Sequence, residues 1–422
     1  MSKPKVLIVT WTWYPVGGDW TYVQNVQRLY EENGYEVIPF STHNEKNVKT
    51  EYDKYFVDSP DYKELNKDKS LINGIKAAKN SIVSSDALKK ISLLLKEHQI
   101  AFAHFHIIQH YVTPALIWRL KKAGVPVIWT LHEYKLICPE NTFFSNGVVC
   151  EKCHGGRFYN CAINKCKKQS FGASTLASLD AYFYHWTGAY KKVDYFLCPS
   201  QFLLDKYKQF NFPDSKMVLT NLCYDIELLD SQIQELKKQP ATEQGKYILY
   251  VGRIEKNKGI FTLIDAVEGT DVVLKIAGAG GAFEELKERV ASKKLTNVEL
   301  LGLQNKQQVF SLTQNSIGVV CPSEWYENYP FSVIESMLFS KAIIGARIGG
   351  IPELVLDNQT GLLFESGNAA ELREKLLTIW NDPELAKKFG EAGREHAYNR
   401  VNFRTHWQTL NNVIGRLPKR LS

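Results

Sequence analysis

The sequence predicts two α/β domains, each built on a parallel sheet, with a cleft between them. Three observations carry this. A buried-strand run, Val6 to Thr10, leads through a glycine loop and a helical stretch to a second strand, the opening of a parallel βαβ unit. The same pattern restarts near Lys246, after a polar stretch from 224 to 245 that contains Pro240 and reads as a connector. The chain has 422 residues, which at roughly 150 residues per domain leaves room for two or three domains.

The elements follow in order. Val6 to Thr10 is apolar and bounded by Pro15 and Gly17-Gly18. Val23, Val26, Leu29 and Tyr30 then recur at helical spacing up to Gly34, a candidate C′ glycine, and Glu36 to Phe40 is the second strand. Residues 44 to 70 carry no period and read as a long loop, and 71 to 97 are helical in pattern. Ile100 to Ile107, Val125 to Leu131 and Tyr195 to Cys198 are further strands with helices between them. The second half reads as strands at Lys246 to Gly252, Val272 to Ala277, Val298 to Leu301, Ile317 to Cys321, Ala342 to Gly345 and Leu362 to Phe364. Phe261 to Val267 lies on a helix. The domain boundaries expected from this are 1–223, 224–398, and a C-terminal helix over 399–422 that packs back on the first domain.

Composition excludes several classes. Hydrophobic residues are 44 % and charged residues 23 %, which excludes a disordered chain. The net charge of +7 is mild: too small for a nucleic-acid-coating protein, yet compatible with a basic patch facing anionic lipid or phosphate. No stretch reaches the roughly 18 apolar residues of a membrane span, and the N-terminal apolar run is too short for a secretory signal. A cytoplasmic location is expected, with eight cysteines in a reducing compartment.

Two constellations carry chemistry. Glu327 and Glu335 flank the start of a helix near Pro330, after the strand that ends at Cys321. Carboxylates at that end of an open α/β sheet accept hydrogen bonds from ligand hydroxyls, and the first amides of the helix, at residues 330 to 333, suit an anion. Arg253 and Lys258, with Gly252 and Gly259, follow an earlier strand of the same domain and offer a fork and a point charge fit for a diphosphate. Gly17-Gly18 is a phosphate-approach loop or a plain turn. Gly278-Ala-Gly-Gly281 falls short of a dinucleotide fingerprint, because Phe283 stands where its third glycine belongs and Glu299 lies inside a strand. His104 and His106 alternate on one strand face, as metal ligands or as a strand end lining a cleft.

These pieces together resemble the retaining glycosyltransferases of family 4, which have the GT-B fold of two Rossmann-like domains facing across a cleft. The second half supplies Val251-Gly-Arg253, Lys258-Gly259, Ile276-Ala-Gly278, Pro322-Ser323, Glu327 to Glu335 at the E-x7-E spacing, and Gly349-Gly350-Ile-Pro-Glu353. The first half supplies Pro15 to Gly18, Asn33 to Val37, His104-Phe-His106, Thr130-Leu-His132 and Pro199-Ser200. The departures are Asp19-Trp20 after the glycines and the stretch from 44 to 90. The resemblance implies a nucleoside-diphosphate-sugar donor, UDP- or GDP-linked, and a glycan or lipid-linked acceptor. Arg253 and Lys258 would hold the diphosphate, Glu335 the ribose, Glu327 the 3- and 4-hydroxyls of the sugar, and His132 its 6-hydroxyl. Gly17, Gly18, Gly278, Phe331 and Ser332 complete the donor-binding set. It also implies catalysis without a divalent metal, the two cations standing in for it.

Five cysteines, Cys138, Cys150, Cys153, Cys161 and Cys166, crowd into an insert at 138–170 with almost no apolar period. The inner four read C-x2-C-x7-C-x4-C, which predicts a structural zinc bound by Cys150, Cys153, Cys161 and Cys166, with Cys138 as the alternative ligand. The functional expectation is a retaining, metal-independent glycosyltransferase of surface polysaccharide or glycolipid assembly. It would work at the inner face of the membrane, touching anionic lipid through Lys167-Lys168, Lys191-Lys192 and the tail Arg416 to Arg420, and it would bind no nucleic acid. The alternatives are a non-catalytic carbohydrate- or lipid-binding protein with a zinc module, and a sugar-nucleotide epimerase of the same fold.

Overall fold

The structure is a computed structural model that describes residues 3–58, 80–108, 111–238 and 246–418. The strands in the first half are β1 (Lys5–Val9), β2 (Glu36–Phe40), β3 (Ile100–Phe105), β4 (Val127–Thr130), a short hairpin of β5 (Phe144–Ser145) and β6 (Val148–Val149), then β7 (Tyr195–Cys198) and β8 (Met217–Leu219). Apart from the hairpin they form one parallel sheet in the order β2-β1-β3-β4-β7-β8. The second half contributes β9 (Ile248–Val251), β10 (Leu274–Ala277), β11 (Val298–Gly302), β12 (Gly318–Cys321), β13 (Ala342–Ala346) and β14 (Gly361–Phe364). Their parallel sheet has the order β11-β10-β9-β12-β13-β14. The fold is GT-B: two doubly wound α/β domains.

The strands read as near-continuous apolar runs because both faces of each sheet are covered by helices. Val6, Leu7, Ile8 and Val9 are all fully buried, as are Ile343 and Ile344 in the other sheet. The strand orders fix the function-bearing edge. In each sheet the order reverses direction at one place, and loops after the strands on either side diverge there to leave a crevice. In the first sheet the reversal lies between β1 and β3, and in the second between β9 and β12.

The two halves are joined at one side by two chain crossings. Tyr224 donates its amide to the Val401 carbonyl at 2.7 Å where the outgoing chain passes the returning one. The C-terminal helix Phe403–Gly415 then lies against the first domain. His406 Nε2 is 3.2 Å from Tyr22 Oη, and Trp407 stands edge-on to Tyr30 and Tyr35.

Two local readings change. The described part of the supposed connector, 224–238, holds the helix Ile226–Lys238, whose Ile226, Leu229 and Ile233 form a narrow buried stripe that the surrounding charge obscures. The helix read near Pro330 is in place: it starts at Phe331, with Pro330 as its N-cap. Within the loop read over 44 to 70, the described residues to 58 bury Tyr52, Tyr55, Phe56 and Val57, and Thr42 bridges to Val57. Residues 59–70 of that loop, and 71–79 of the helix read over 71 to 97, lie outside the described residues. The helix Ser85–Glu97 is in place, capped by the Ser84 hydroxyl.

One glycine of the second domain is required by geometry. Gly259 has φ +66° and lies against the loop after β12, so that a Cβ there would sit 1.8 Å from the Pro322 carbonyl oxygen. Gly259→Ala should therefore destabilise the second domain by about 2 to 4 kcal/mol, a left-handed strain plus a backbone clash. Denaturant melts followed by domain-specific tryptophan fluorescence will show an unchanged first domain and an earlier transition of the second.

Candidate functional site

The crevice at the β9/β12 reversal is built from two loops. The loop after β9 carries Arg253 and Lys258; the loop after β12 carries Ser323, Trp325 and Glu327. Their centre is the Glu327 carboxylate, whose Oε1 accepts from Lys258 Nζ at 2.6 Å, Ser323 Oγ at 2.7 Å and Trp325 Nε1 at 2.8 Å. Lys258 also lies over the Trp325 ring, 4.7 Å from its centroid. Burial alone would raise the Glu327 carboxyl, but the Lys258 charge and these hydrogen bonds outweigh it and hold it below the ordinary carboxylate range. Lys258 is therefore already paired across the crevice. Arg253 stands exposed beside it.

Glu335 lies one turn into the helix Phe331–Leu338 and accepts from Tyr224 Oη at 2.7 Å. Here burial wins and raises its pKa, against the Tyr224 hydrogen bond and the Lys306 charge. A carboxylate short of donors is what two vicinal hydroxyls would satisfy. Phe331 and Ser332 form the first turn of that helix, which has no side-chain cap, so its leading amides are available. Gly278 donates its amide to the Gly302 carbonyl at 2.8 Å and packs on Gly252, bracing the loop that holds Arg253.

The first domain meets this edge from its own reversal. Gly17 and Gly18 open the helix Gly17–Glu32, which also lacks a side-chain cap. Gly18 is pressed against the Phe331 ring so closely that a Cβ would lie 2.6 Å from Cδ2. Two uncapped helix starts thus face one another across the cleft. Asp19, in the first turn, has half of its side chain open to the cleft, and its Oδ1 is 3.4 Å from His132 Nδ1. Enclosure, and then the Glu133 charge, push the Asp19 carboxyl up to about 7, while Arg253 and Lys258 oppose the rise. The His132 side chain is only 2 % exposed, and burial drives its pKa down to about 3. It is a neutral hydrogen-bonding group whose Nε2 lies 3.3 Å from His106 Nδ1. His104 is consumed by Tyr30 Oη at 2.9 Å and Thr130 Oγ1 at 2.8 Å, the arrangement of a strand end and not of a metal ligand.

Sequence reasoning passed over several contributors. Asn328 reaches across to donate to the Leu131 carbonyl at 3.0 Å and accepts from Ser200 Oγ at 3.0 Å. Glu353 accepts from the amides of Gln201 and Phe202 at 2.8 and 2.7 Å, capping a helix of the other domain. Both lie inside motifs quoted above, but their partners are more than a hundred residues away. Tyr224 gives no sequence signal at all. Asp19 was visible as the residue that breaks the pattern after the glycines.

The zinc expectation finds no ligand set. Cys138, Cys150, Cys153, Cys161 and Cys166 do line one small void, with Ser145 Oγ 3.3 Å from Cys166 Sγ. Yet among the described residues no group of three or more His, Cys, Asp or Glu side chains is arranged to hold a metal ion. The Cys161 thiol lies against Cys166 and draws the Cys166 pKa down. Within the insert Phe143 and Phe158 are buried, Glu140 pairs with Lys167, and Glu151 pairs with Lys206.

Comparisons with known proteins give a consistent picture. The model of Glycosyltransferase Family 4 matches residues 16–228, and that of Glycosyl transferases group 1 matches residues 231–396. An uncharacterised glycosyltransferase of Methanocaldococcus jannaschii is 25 % identical over 91 % of this chain and 90 % of its own length. A D-rhamnosyltransferase of Pseudomonas aeruginosa is 31 % identical over 34 % of this chain and 39 % of its own. Among solved structures, a sucrose-phosphate synthase of Thermosynechococcus elongatus superposes with TM-score 0.70 at 16 % identity, covering 98 % of this chain and 99 % of that one. HepE of Anabaena, in complex with UDP and glucose, gives 0.68 at 17 % identity over 98 % and 100 %.

The Asp19 environment makes a pH prediction. A carboxyl whose folded pKa is raised from 3.8 to about 7 penalises the native state progressively as pH rises through that window, and fully above it. Asp19→Asn removes the penalty. Its melting midpoint should equal that of the unaltered protein below pH 4 and exceed it by about 1 to 3 °C above pH 7, a modest gain because water screens half of the side chain.

Proposed function

The chain belongs to glycosyltransferase family 4, and from that premise we propose that it is a retaining enzyme using a UDP- or GDP-sugar. The acceptor is a glycan or a lipid-linked glycan, the pathway is assembly of a surface polysaccharide or glycolipid at the inner membrane face, and catalysis needs no metal ion. The solved structures of Anabaena HepE with UDP and glucose and with UDP-glucose support the donor class. Among the described residues no helix is long and apolar enough to cross a membrane.

The observation that carries the reading is the Lys258–Glu327 pair at the sheet reversal, with Arg253 beside it. The diphosphate would be met by Arg253, Lys258 and the amides of Gly17, Gly18, Phe331 and Ser332, in the lee of Gly278. The ribose diol would give Glu335 the donors it lacks. Glu327 would take the sugar 3- and 4-hydroxyls while keeping Lys258 aimed at the phosphate. His132, neutral at working pH, would hydrogen-bond the sugar 6-hydroxyl and not act as an acid. No side chain stands as a nucleophile in this scheme. The acceptor hydroxyl attacks on the face from which the diphosphate departs, and a leaving phosphate oxygen takes its proton. Arg253 and Lys258 stabilise the negative charge that grows on that leaving group.

Loss of one charge-assisted contact to the leaving group is worth about 2 to 4 kcal/mol. Arg253→Ala should accordingly lower kcat/KM about 30- to 1000-fold in a donor-consumption assay, and EDTA should leave the rate unchanged. Full activity in Arg253→Ala/Lys258→Ala would overturn the assignment. Glu335→Ala should weaken nucleoside-diphosphate binding about ten-fold by calorimetry. Glu327→Gln, which keeps an acceptor oxygen for Ser323 and Trp325, should leave that binding within about three-fold and depress turnover.

A further inference from the structure

The helix Phe171–Trp186 is inside out. Its buried side is Ser174, Ser178, Ala181 and Tyr184. The serines are spent on the insert: Ser174 Oγ accepts from the Lys167 amide at 2.9 Å, and Ser178 Oγ donates to the Phe158 carbonyl at 2.9 Å. Its open side is apolar. Phe171 is 61 % exposed, Leu179 54 % and Trp186 80 %. Phe171, Leu179, Tyr182 and Trp186 fall on one stripe at helical spacing, interrupted by Thr175, whose hydroxyl is turned back to the Phe171 carbonyl at 2.8 Å, and the half-buried Tyr182 ring stacks on Trp186 at 4.9 Å. Tyr159 and Ile163, both exposed, extend the apolar surface along the neighbouring helix Tyr159–Ile163. Single exposed apolar residues are ordinary; a continuous face of them marks a partner.

The charge around the stripe selects the partner. Between residues 150 and 192 the sequence has Lys152, Arg157, Lys165, Lys167, Lys168, Lys191 and Lys192 against only Glu151 and Asp180. Both acids are committed to cations outside that stretch, Glu151 to Lys206 at 2.9 Å and Asp180 to Lys135 at 3.7 Å. Lys165, Lys167 and Lys168 precede the helix and Lys191 and Lys192 follow it; Lys167 is paired with Glu140 at 3.4 Å, and the others leave a net positive charge bracketing a stripe about 24 Å long. A second copy docking on this face by a two-fold axis would bring like charge onto like charge. A flat anionic surface with an apolar layer beneath it matches both features at once.

We propose that Phe171–Trp186 is the membrane-docking face of this protein, lying in the headgroup layer of an anionic bilayer with Phe171, Leu179 and Trp186 inserted. The helix is tied to the loop behind His132: His185 Nε2 meets the Leu136 carbonyl at 2.7 Å, and Asp180 pairs with Lys135. Docking there holds the first domain's side of the cleft over the lipid surface, where a lipid-linked acceptor resides. The inference deepens the acceptor part of the proposed function, but it stands on the helix and not on the donor site.

Co-sedimentation with vesicles of phosphatidylcholine and phosphatidylglycerol tests it. The unaltered protein should bind these at low salt, bind pure phosphatidylcholine weakly, and lose binding as salt rises. Phe171→Gln/Leu179→Gln/Trp186→Gln should lower the bound fraction about ten-fold or more, and Lys191→Glu/Lys192→Glu about three-fold, with circular dichroism and nucleoside-diphosphate affinity unchanged in both. Arg253→Ala should bind vesicles like the unaltered protein, so that loss of the donor reading and loss of this one are told apart. Vesicle binding that survives the triple substitution overturns the proposal. So does absence of binding at low salt, or a dimer of the unaltered protein that the triple substitution dissolves.

Discussion

The Glu327 carboxylate is the point on which the cleft is hung. One of its oxygens takes three donors, from Lys258, Ser323 and Trp325, and its main-chain carbonyl takes the Gly350 amide at 2.7 Å. Together these fix the loop from Pro322 to Pro330, and that loop is what the donor domain presents to its neighbour. Tyr326 donates to Glu151 at 2.7 Å, Asn328 reaches the Leu131 carbonyl, and the Phe331 ring seats against Gly18. Removing one partner of a buried ion pair strands the other charge, which typically costs about 3 to 5 kcal/mol. The same interaction that fixes the Lys258 ammonium in the crevice also sets where the other domain lies.

The ionisable groups of the cleft divide by environment. Glu327, with a lysine and hydrogen bonds, is held charged. Glu335, with one tyrosine, and Asp19, beside Glu133, are pushed toward neutrality. His132 is kept neutral by burial. The second domain thus offers fixed cations with one compensating anion, and the opposite wall carries a carboxyl whose charge is weakly held. An anion in the cleft would meet positive potential from one side and no rigid negative charge from the other.

The fold was legible because sheets covered on both faces write themselves as apolar runs, and strand-loop-helix order then places every loop that follows a strand on one edge. Arg253, Lys258, Glu327 and Glu335 were legible for the same reason: each follows β9 or β12. What sequence hid was partnership across the cleft. Nothing in the spacing tells that Lys258 is saturated by Glu327, that Glu353 caps the helix starting at Gln201, or that Tyr224 reaches Glu335. β8 has three residues and no pattern to read. The cysteines show the opposite case: their spacing looks like a metal site and all five line one void, yet among the described residues no group of three is arranged to hold an ion. The helix Phe171–Trp186 escaped notice because periodicity marks a stripe but does not say which side faces inward.

The contacts that join the domains differ in kind at the two ends of the cleft. At the chain crossings the join is buried and aromatic, with His406, Tyr22, Tyr30 and Trp407 enclosed or partly enclosed between the C-terminal helix and the first domain. At the mouth it is mixed: Asn328 bonds to Leu131 and Ser200, Glu353 to two amides and Tyr326 to Glu151, while the Tyr326 ring packs edge-on to Phe202 at 4.9 Å and Phe331 seats against Gly18. The polar bonds exchange with water at small net cost, about 0.5 to 1.5 kcal/mol each, whereas the aromatic contacts at both ends give up apolar burial when parted, so the apolar contacts are the larger part of what holds the two halves in register.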